Sequence, residues 1–390
     1  MSRFDEIRPY YDNELQAALR RIASDDECIA LIGQIRFPRH IKLFGWLLKP
    51  LLRWRLSRRV NSIDTVHDFQ LIVERYLVSM LDKTTTGLTI SGLDNIDLSS
   101  AHLFMSNHRD ITLDPALVNY ALHHHGGKTT RIAIGDNLLS KPFASDLMRA
   151  NKSFIVKRSV NGPRELLKTL KTLSSYIWHS LKQDQENIWI AHREGRAKDG
   201  IDKTDPAVIK MLTIAKPKTE SFADYIKQLQ IIPVSVSYEY DPCDAMKANE
   251  LRLIEEQGSY TKAEHEDMDS IGRGISGDKG NIYLHFSEPL TGEYADPEAV
   301  ARVIDRAIVQ NYRIQPTNIL AYELLYGKAA LDAALAQNGL FQPGEQYHSE
   351  SDREKFHQRI AELPDQDTIY ALTIYANPIV NRINICGNQQ

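Results

Sequence analysis

The stretch Ala101 to Pro115, AHLFMSNHRDITLDP, limits the possible folds of this chain more than any other. Its short apolar run, Leu103-Phe104-Met105, reads as a buried strand. The run ends in Ser106-Asn107-His108, and a helix is expected to open at Asp114-Pro115, with the acid as N-cap and proline at the first helical position. A histidine is thus delivered to the C-terminal edge of a strand, where open α/β sheets put their ligands. Asp110 and Asp114 lie within six residues of it. The segment therefore offers a candidate general base with an orienting carboxylate.

From residue 101 onward, strands and helices alternate. This is the pattern of a mostly parallel central sheet flanked by helices, an α/β fold. A helix over 114–125 is followed by a strand at Arg131–Ile134, a turn at Gly135-Asp136-Asn137, a helix across Ser140–Arg149 and a strand at Ser153–Val156. Pro163 opens a helix to about Leu181. Further strands are expected at Ile188–Ala191, Ile231–Ser237 and Asn281–Phe286, then a helix at 296–311. Ahead of them, residues 66–82 read as a long helix and Gly87 to Ile96 as a short strand and turn. The expected division is a helical N-terminal region at 1–90, an α/β domain at 91–330 and a helical tail at 331–390.

With 390 residues the chain is long enough for a large buried core. A net charge of −4 gives no general case for binding nucleic acid. Three scattered cysteines, Cys28, Cys243 and Cys386, without a CxxC pair suggest neither a disulfide framework nor a zinc site. They fit a reducing cytoplasm. The opening MSRFDEIRPYYDNELQ carries charges where a signal peptide needs an apolar core, so none is expected. No apolar window approaches the roughly 20 residues needed to span a bilayer.

The segment 28–63 is different in kind. It holds no Asp or Glu, yet contains Arg36, Arg39, Lys42, Lys49, Arg53, Arg55, Arg58 and Arg59. Interleaved among these are Ile41, Leu43, Phe44, Trp46, Leu47, Leu48, Leu51, Leu52, Trp54 and Leu56. Pro38 and Pro50 are expected to break it into two short helices. Basic residues among tryptophan and leucine make the composition of an interfacial membrane helix. The expectation is a protein peripheral on the inner face of the cell membrane, docked through 28–63. The blander reading is a basic helix packed on its own core with a solvated outer face.

Polar residues follow several of the strands: His108, Lys157 and Arg158, Glu194 and Arg196, and Glu239. In a parallel sheet these ends lie along one edge, so residues distant in sequence converge. Acyl transfer to an alcohol needs a base for the hydroxyl, a carboxylate to hold the imidazole tautomer and charge near the developing oxyanion. His108 and Asp114 supply the first two. Lys157, Arg158, Arg196 and Lys198 suit a phosphorylated acceptor. No serine or cysteine lies in a GxSxG elbow, which favours direct transfer over a covalent acyl-enzyme. His123-His124-His125 does not share a helix face, so it reads as a frayed basic helix end and no metal site is expected. His192 is read as a supporting rather than a catalytic histidine.

Ser106-Asn107-His108 through Asp114-Pro115 resembles the histidine–aspartate block of the glycerolipid acyltransferases, the glycerol-3-phosphate and 1-acylglycerol-3-phosphate O-acyltransferases. Three further stretches are similar to that family's later blocks, in order. They are Asn151-Lys152-Ser153-Phe154-Ile155-Val156-Lys157-Arg158, Arg193-Glu194-Gly195-Arg196-Ala197-Lys198-Asp199-Gly200 and Ile232-Pro233-Val234-Ser235-Val236-Ser237-Tyr238-Glu239. The flanks resemble the bacterial glycerol-3-phosphate branch, and the resemblance covers roughly 70 to 310. That family spaces its histidine and aspartate by four residues, whereas five separate His108 from Asp114 and one separates it from Asp110. Asp-Pro at a helix start favours Asp114.

The resemblance implies transfer of a fatty acyl group from acyl-CoA or acyl carrier protein to a glycerophosphate hydroxyl, without a cofactor, in phospholipid synthesis. His108 would be the base and Asp114 its orienter. Lys157, Arg158, Arg196 and Lys198 would bind the acceptor phosphate, and Glu194 and Gly195 would shape its pocket. Other readings are acylation of a different lysophospholipid or an aminolipid, and a non-catalytic lipid-binding protein. His108-Arg109-Asp110 also hints at a protein kinase, but Pro115 stands where that motif needs asparagine and no glycine-rich loop precedes it.

Overall fold

The computed structural model describes residues 3–37, 40–139, 141–160, 162–263, 266–337 and 339–387. In chain order the elements begin with helices α1 (Asp12–Ser24), α2 (Asp26–Arg36), α3 (His40–Val60) and α4 (Val66–Thr84). Strands β1 (Gly87–Ser91) and β2 (Leu103–Ser106) lead to α5 (Leu113–His124), β3 (Arg131–Gly135), α6 (Pro142–Ala150), β4 (Ser153–Val156) and α7 (Pro163–Lys182). Then come β5 (Ile188–Ala191), α8 (Pro206–Thr213), α9 (Phe222–Leu229), β6 (Ile231–Tyr238), α10 (Asp244–Gln257), α11 (Glu266–Ser276) and β7 (Asn281–Phe286). The chain closes with α12 (Pro297–Asn311), α13 (Pro316–Tyr326), α14 (Lys328–Leu335), α15 (Glu350–Ala361) and α16 (Asp365–Cys386).

Contacts divide the chain into two compact units, each made of two segments: Met1–Val78 with Thr130–Tyr176, and Ser79–Thr129 with Ile177–Gln390. In the first, β3 and β4 pair in parallel, Ile132 opposite Ser153 and Gly135 opposite Val156. Beside them lies a helical core of Leu15, Leu19, Ile22, Val60, Ile63, Phe69 and Phe143. The break expected at Pro50 does not occur, because α3 runs through it. Proline removes one helical hydrogen bond, but Pro50 is exposed, so the carbonyl losing its partner can turn to water. Leu56 and Val60 pack into the core and hold the C-terminal half of the helix. Pro38, Arg39 and Ser140 lie outside the described residues, as do the side chains of Arg36, Ile41, Lys42, Leu43 and Phe44.

The second unit holds strands in the order β1-β7-β6-β2-β5. Three of these neighbouring pairs are parallel, β1 with β7, β6 with β2 and β2 with β5, while β6 and β7 are antiparallel. All eight residues of β6 are buried, as expected of a strand covered on both faces. Leu103, Phe104 and Met105 of β2 are likewise fully buried. The reversed direction of β7 matters for the site. Tyr238, the last residue of β6, stands opposite Ile282 near the start of β7. The approach to β7, with Lys279 and Gly280, therefore comes to the same edge as the ends of β2, β5 and β6.

The C-terminal helices form a second apolar core with Tyr312, Ile319, Phe356, Ile374 and Ile379 among its members. They also hold the loop after β5. Asn377 and Asn381 of α16 donate from their side-chain amides to the carbonyls of Asp199 (2.7 Å) and Asp202 (3.0 Å). The α8 and α9 helices were not foreseen in the sequence.

Candidate active site

The loop joining β2 to α5 is held on every side. The Asn107 side chain accepts from the Val236 amide (2.8 Å) and donates to the Val236 carbonyl (3.0 Å), so it continues the β2–β6 pairing beyond the strand. The carbonyl of His108 accepts from the Ala197 amide at 2.8 Å. Arg109 is buried, with Nη2 donating to Asp202 Oδ2 (2.7 Å) and to the Gly200 carbonyl (3.0 Å). Lys247 of α10 is buried too, and its ammonium donates to the Arg109 carbonyl (2.9 Å) and pairs with Asp241. Burial pushes the Asp241 carboxyl up, but the Lys247 ammonium outweighs it and holds the group below its ordinary value.

These supports place His108 Nδ1 2.8 Å from Asp114 Oδ2. The same oxygen accepts the backbone amides of Arg109 (2.7 Å) and Asp110 (3.0 Å). Asp114 Oδ1 accepts the Tyr238 hydroxyl at 2.7 Å. The carboxylate is fully buried and its two oxygens accept four hydrogen bonds. Its bond to Nδ1 puts the imidazole proton there and leaves Nε2 as the candidate base. The His108 side chain retains 14% exposure, enough for a substrate proton to reach it. The Trp189 indole meets the imidazole edge-on, with centroids 5.7 Å apart, and donates to Ser106 Oγ at 3.1 Å.

The cap of α5 differs from the expectation. Asp114 is not the N-cap of α5, because that position falls on Thr112, which makes no side-chain cap bond. Asp110 does the capping, its Oδ1 accepting the amides of Thr112 (2.9 Å) and Leu113 (2.8 Å). The two carboxylates of the loop thus have separate contacts, Asp114 with His108 and Asp110 with the start of α5. Burial and the neighbouring Asp114 charge push the Asp110 carboxyl above its ordinary value. Gly274 of α11 packs directly on it, and a Cβ there would lie 2.2 Å from Asp110 Oδ2.

His192, at the end of β5, is wholly buried, and its Nε2 has no hydrogen-bond partner among the described residues. Burial, with Arg193 and His108 nearby, pushes its basicity well below the ordinary histidine value. Burial thus favours the neutral form of His192 beside His108.

The candidate phosphate ligands fall in two places. Arg196 and Lys198 follow β5 in the second unit. Arg196 Nη1 donates to Ser270 Oγ of α11 (2.5 Å), and Lys198 is paired with Glu250 of α10. Glu194 and Gly195 are exposed at the turn between β5 and these cations, and Gly195 takes a positive φ of 71°. Lys157 and Arg158 follow β4 in the first unit, where Lys157 pairs with Glu6 at 2.5 Å and the Arg158 amide donates to Asp136 Oδ1 at 3.2 Å. Glu239 does not join the histidine. Its Oε2 accepts the Asn281 amide (2.8 Å) and side chain (2.7 Å), which fixes the start of β7.

Sequence reasoning gave no role to Tyr238, Lys247, Asp202 or Ser270. Tyr238 stands in the proline-strand block, so its placement at a strand end was readable. The partners on α10 and α11 carried no local signal.

A histidine oriented by a buried carboxylate is an arrangement suited to taking a proton from an acceptor hydroxyl. Residues 87–237, from the first residue of β1 into the end of β6, match the family model described as Acyltransferase. The chain carries an acyltransferase domain and is an acyltransferase. Among solved structures, the 1-acyl-sn-glycerophosphate (LPA) acyltransferase PlsC from Thermotoga maritima matches at 13% identity, over 76% of this chain and 92% of that one, with a TM-score of 0.36. No curated protein matches the chain. Among the described residues no group of histidine, cysteine or acidic side chains is arranged to hold a metal ion.

Proposed function

We propose that this enzyme moves a fatty acyl group from a thioester, acyl-CoA or acyl carrier protein, to the hydroxyl of a glycerophosphate in phospholipid synthesis. Glycerol-3-phosphate is the first choice of acceptor and 1-acylglycerol-3-phosphate the second. The observation that carries this reading is the 2.8 Å bond between His108 Nδ1 and Asp114 Oδ2 inside the acyltransferase domain.

His108 Nε2 takes the proton of the acceptor hydroxyl as its oxygen attacks the thioester carbonyl. Asp114 stabilises the imidazolium that forms. The tetrahedral intermediate collapses with cleavage of the carbon–sulfur bond, and the leaving thiolate takes the proton back from His108. The products are an ester and a free thiol. Arg196 and Lys198, in the same unit as His108, bind the acceptor phosphate as charge-assisted partners. Glu194 and Gly195 shape the turn beneath it.

Docking to the inner face of the cell membrane belongs to the same reading. Trp46, Leu47, Leu51 and Trp54 of α3 are all more than half exposed, and Arg58 lies over the Trp54 ring. Aromatic and aliphatic side chains exposed beside arginines suit an anionic lipid surface. No described helix is long and apolar enough to cross a membrane.

The deciding assay offers purified protein palmitoyl-CoA with glycerol-3-phosphate or with lysophosphatidate in separate reactions. Thiol release with one acceptor, abolished in His108→Ala, is the expected result. Thiol release that persists in His108→Ala would sink the assignment of the base.

A further inference from the structure

The Asp114 carboxylate is served unevenly. Oδ2 accepts from His108 and from two backbone amides, while Oδ1 accepts from the Tyr238 hydroxyl. The backbone donors belong to the same loop as His108. Tyr238 comes from β6, 124 residues further along the chain. We propose that Tyr238 is a positioning residue for the acid–base pair: its hydroxyl fixes the rotation of the Asp114 carboxylate and draws charge from it, keeping His108 Nε2 free to take a proton.

The geometry makes Tyr238 a dedicated donor. Its ring is buried at the end of a strand whose eight residues are all buried. Burial, and the Asp114 and Asp110 charges facing it, push the phenol well above its ordinary value, so the hydroxyl keeps its proton wherever the enzyme works. Hydrogen bonds to a charged acceptor are stronger than neutral ones, and each lowers the proton affinity of the carboxylate. Without this donor Asp114 gains proton affinity and holds the imidazolium more tightly.

The other charged groups facing the pair stay in place when Tyr238 changes. Asp110 and Arg109 come from its own loop, His192 and Arg193 from the end of β5, and Asp241 from beyond β6. Lys247 comes from α10 and Lys279 from the approach to β7, each facing Asp110. A change in Tyr238→Phe therefore reports the lost hydroxyl.

The test is an NMR titration of the His108 imidazole in the full chain, which needs no substrate. In Tyr238→Phe its midpoint is expected to rise by about one pH unit, the scale of one charge-assisted hydrogen bond. Replacing Tyr238 by 3-fluorotyrosine, a stronger donor, moves it down, and this second variant decides the matter should the first not fold. A midpoint that stays still or moves the other way overturns the proposal. The kinetic counterpart rests on the proposed acyl transfer: kcat falls roughly tenfold at neutral pH with KM unchanged, and the acid limb rises with the midpoint. The titration stands even if the acceptor is misassigned, so the two failures are distinguishable.

Discussion

The ammonium of Lys198 and the carboxylate of Glu250 form an ion pair at the end of β5, with side-chain exposures of 20% and 10%. A cation expected to meet a phosphate is thus already neutralised by α10. An incoming phosphate must displace Glu250 or share Lys198 with it. Glu250→Gln removes the competing charge and is expected to lower KM for the phosphorylated acceptor about threefold to tenfold, with kcat little changed. An unchanged or raised KM in steady-state assays would remove Lys198 from the acceptor site.

Asp114→Asn places an amide where the His108, Arg109 and Asp110 N–H groups now donate to one oxygen. Whichever way the amide turns, the imidazole loses its charged partner and its fixed tautomer. Turnover should fall by about 10³- to 10⁴-fold, the scale seen when a catalytic histidine loses its carboxylate. Circular dichroism should show the fold retained. Residual activity within tenfold of wild type would mean that the carboxylate does not orient the base.

Gly274 is where α11 meets Asp110 most closely. The added methyl of Gly274→Ala has to push the helix or the carboxylate aside, and overpacking of this kind costs about 1–3 kcal/mol. A lower melting temperature accompanied by lost activity is expected. Gly272→Ala, on the same helix with open space around it, should change neither and serves as the control.

His192 makes stability depend on pH. The folded protein refuses a proton that the unfolded chain accepts near pH 6.5, since burial holds His192 neutral. The unfolded state therefore binds more protons as the pH falls through about 6.5, and folding stability is lost in that direction at up to roughly 1.4 kcal/mol per unit. His192→Phe cannot take up that proton. Between pH 7.5 and 5.5 its melting temperature should drop less than that of wild type, and an equal drop in thermal melts would contradict the assignment.

The exposed apolar residues of α3 provide the test of docking. Replacing Trp46, Leu47, Leu51 and Trp54 together by glutamine should reduce cosedimentation with vesicles containing anionic lipid at least tenfold, because partitioning scales with the apolar area buried. Turnover of soluble substrates should be preserved. Equal cosedimentation of variant and wild type would mean that this face does not meet the membrane.

Local sequence determined much of this protein. Leu103-Phe104-Met105 is apolar enough to be a buried strand anywhere, and proline at 163 starts a helix whatever surrounds it. His108 at the end of the strand followed from that. The direction of β7 did not, because an apolar strand reads alike in either direction. Only the sheet pairing made β7 antiparallel to β6 and brought Lys279 to the edge occupied by His108. The two acids after the histidine show the same limit. Both suit a cap and both suit an imidazole, and the choice rests on where the amides of Arg109, Thr112 and Leu113 point once the loop is closed. Tyr238, Lys247 and Glu250 stand more than 50 residues from Asp114, Arg109 and Lys198, which they touch, and nothing in their own neighbourhoods marks those partners. Strands and helix starts are set by interactions a few residues long, whereas the proton affinity and charge balance of a site come from side chains that only a closed tertiary structure brings within 3 Å.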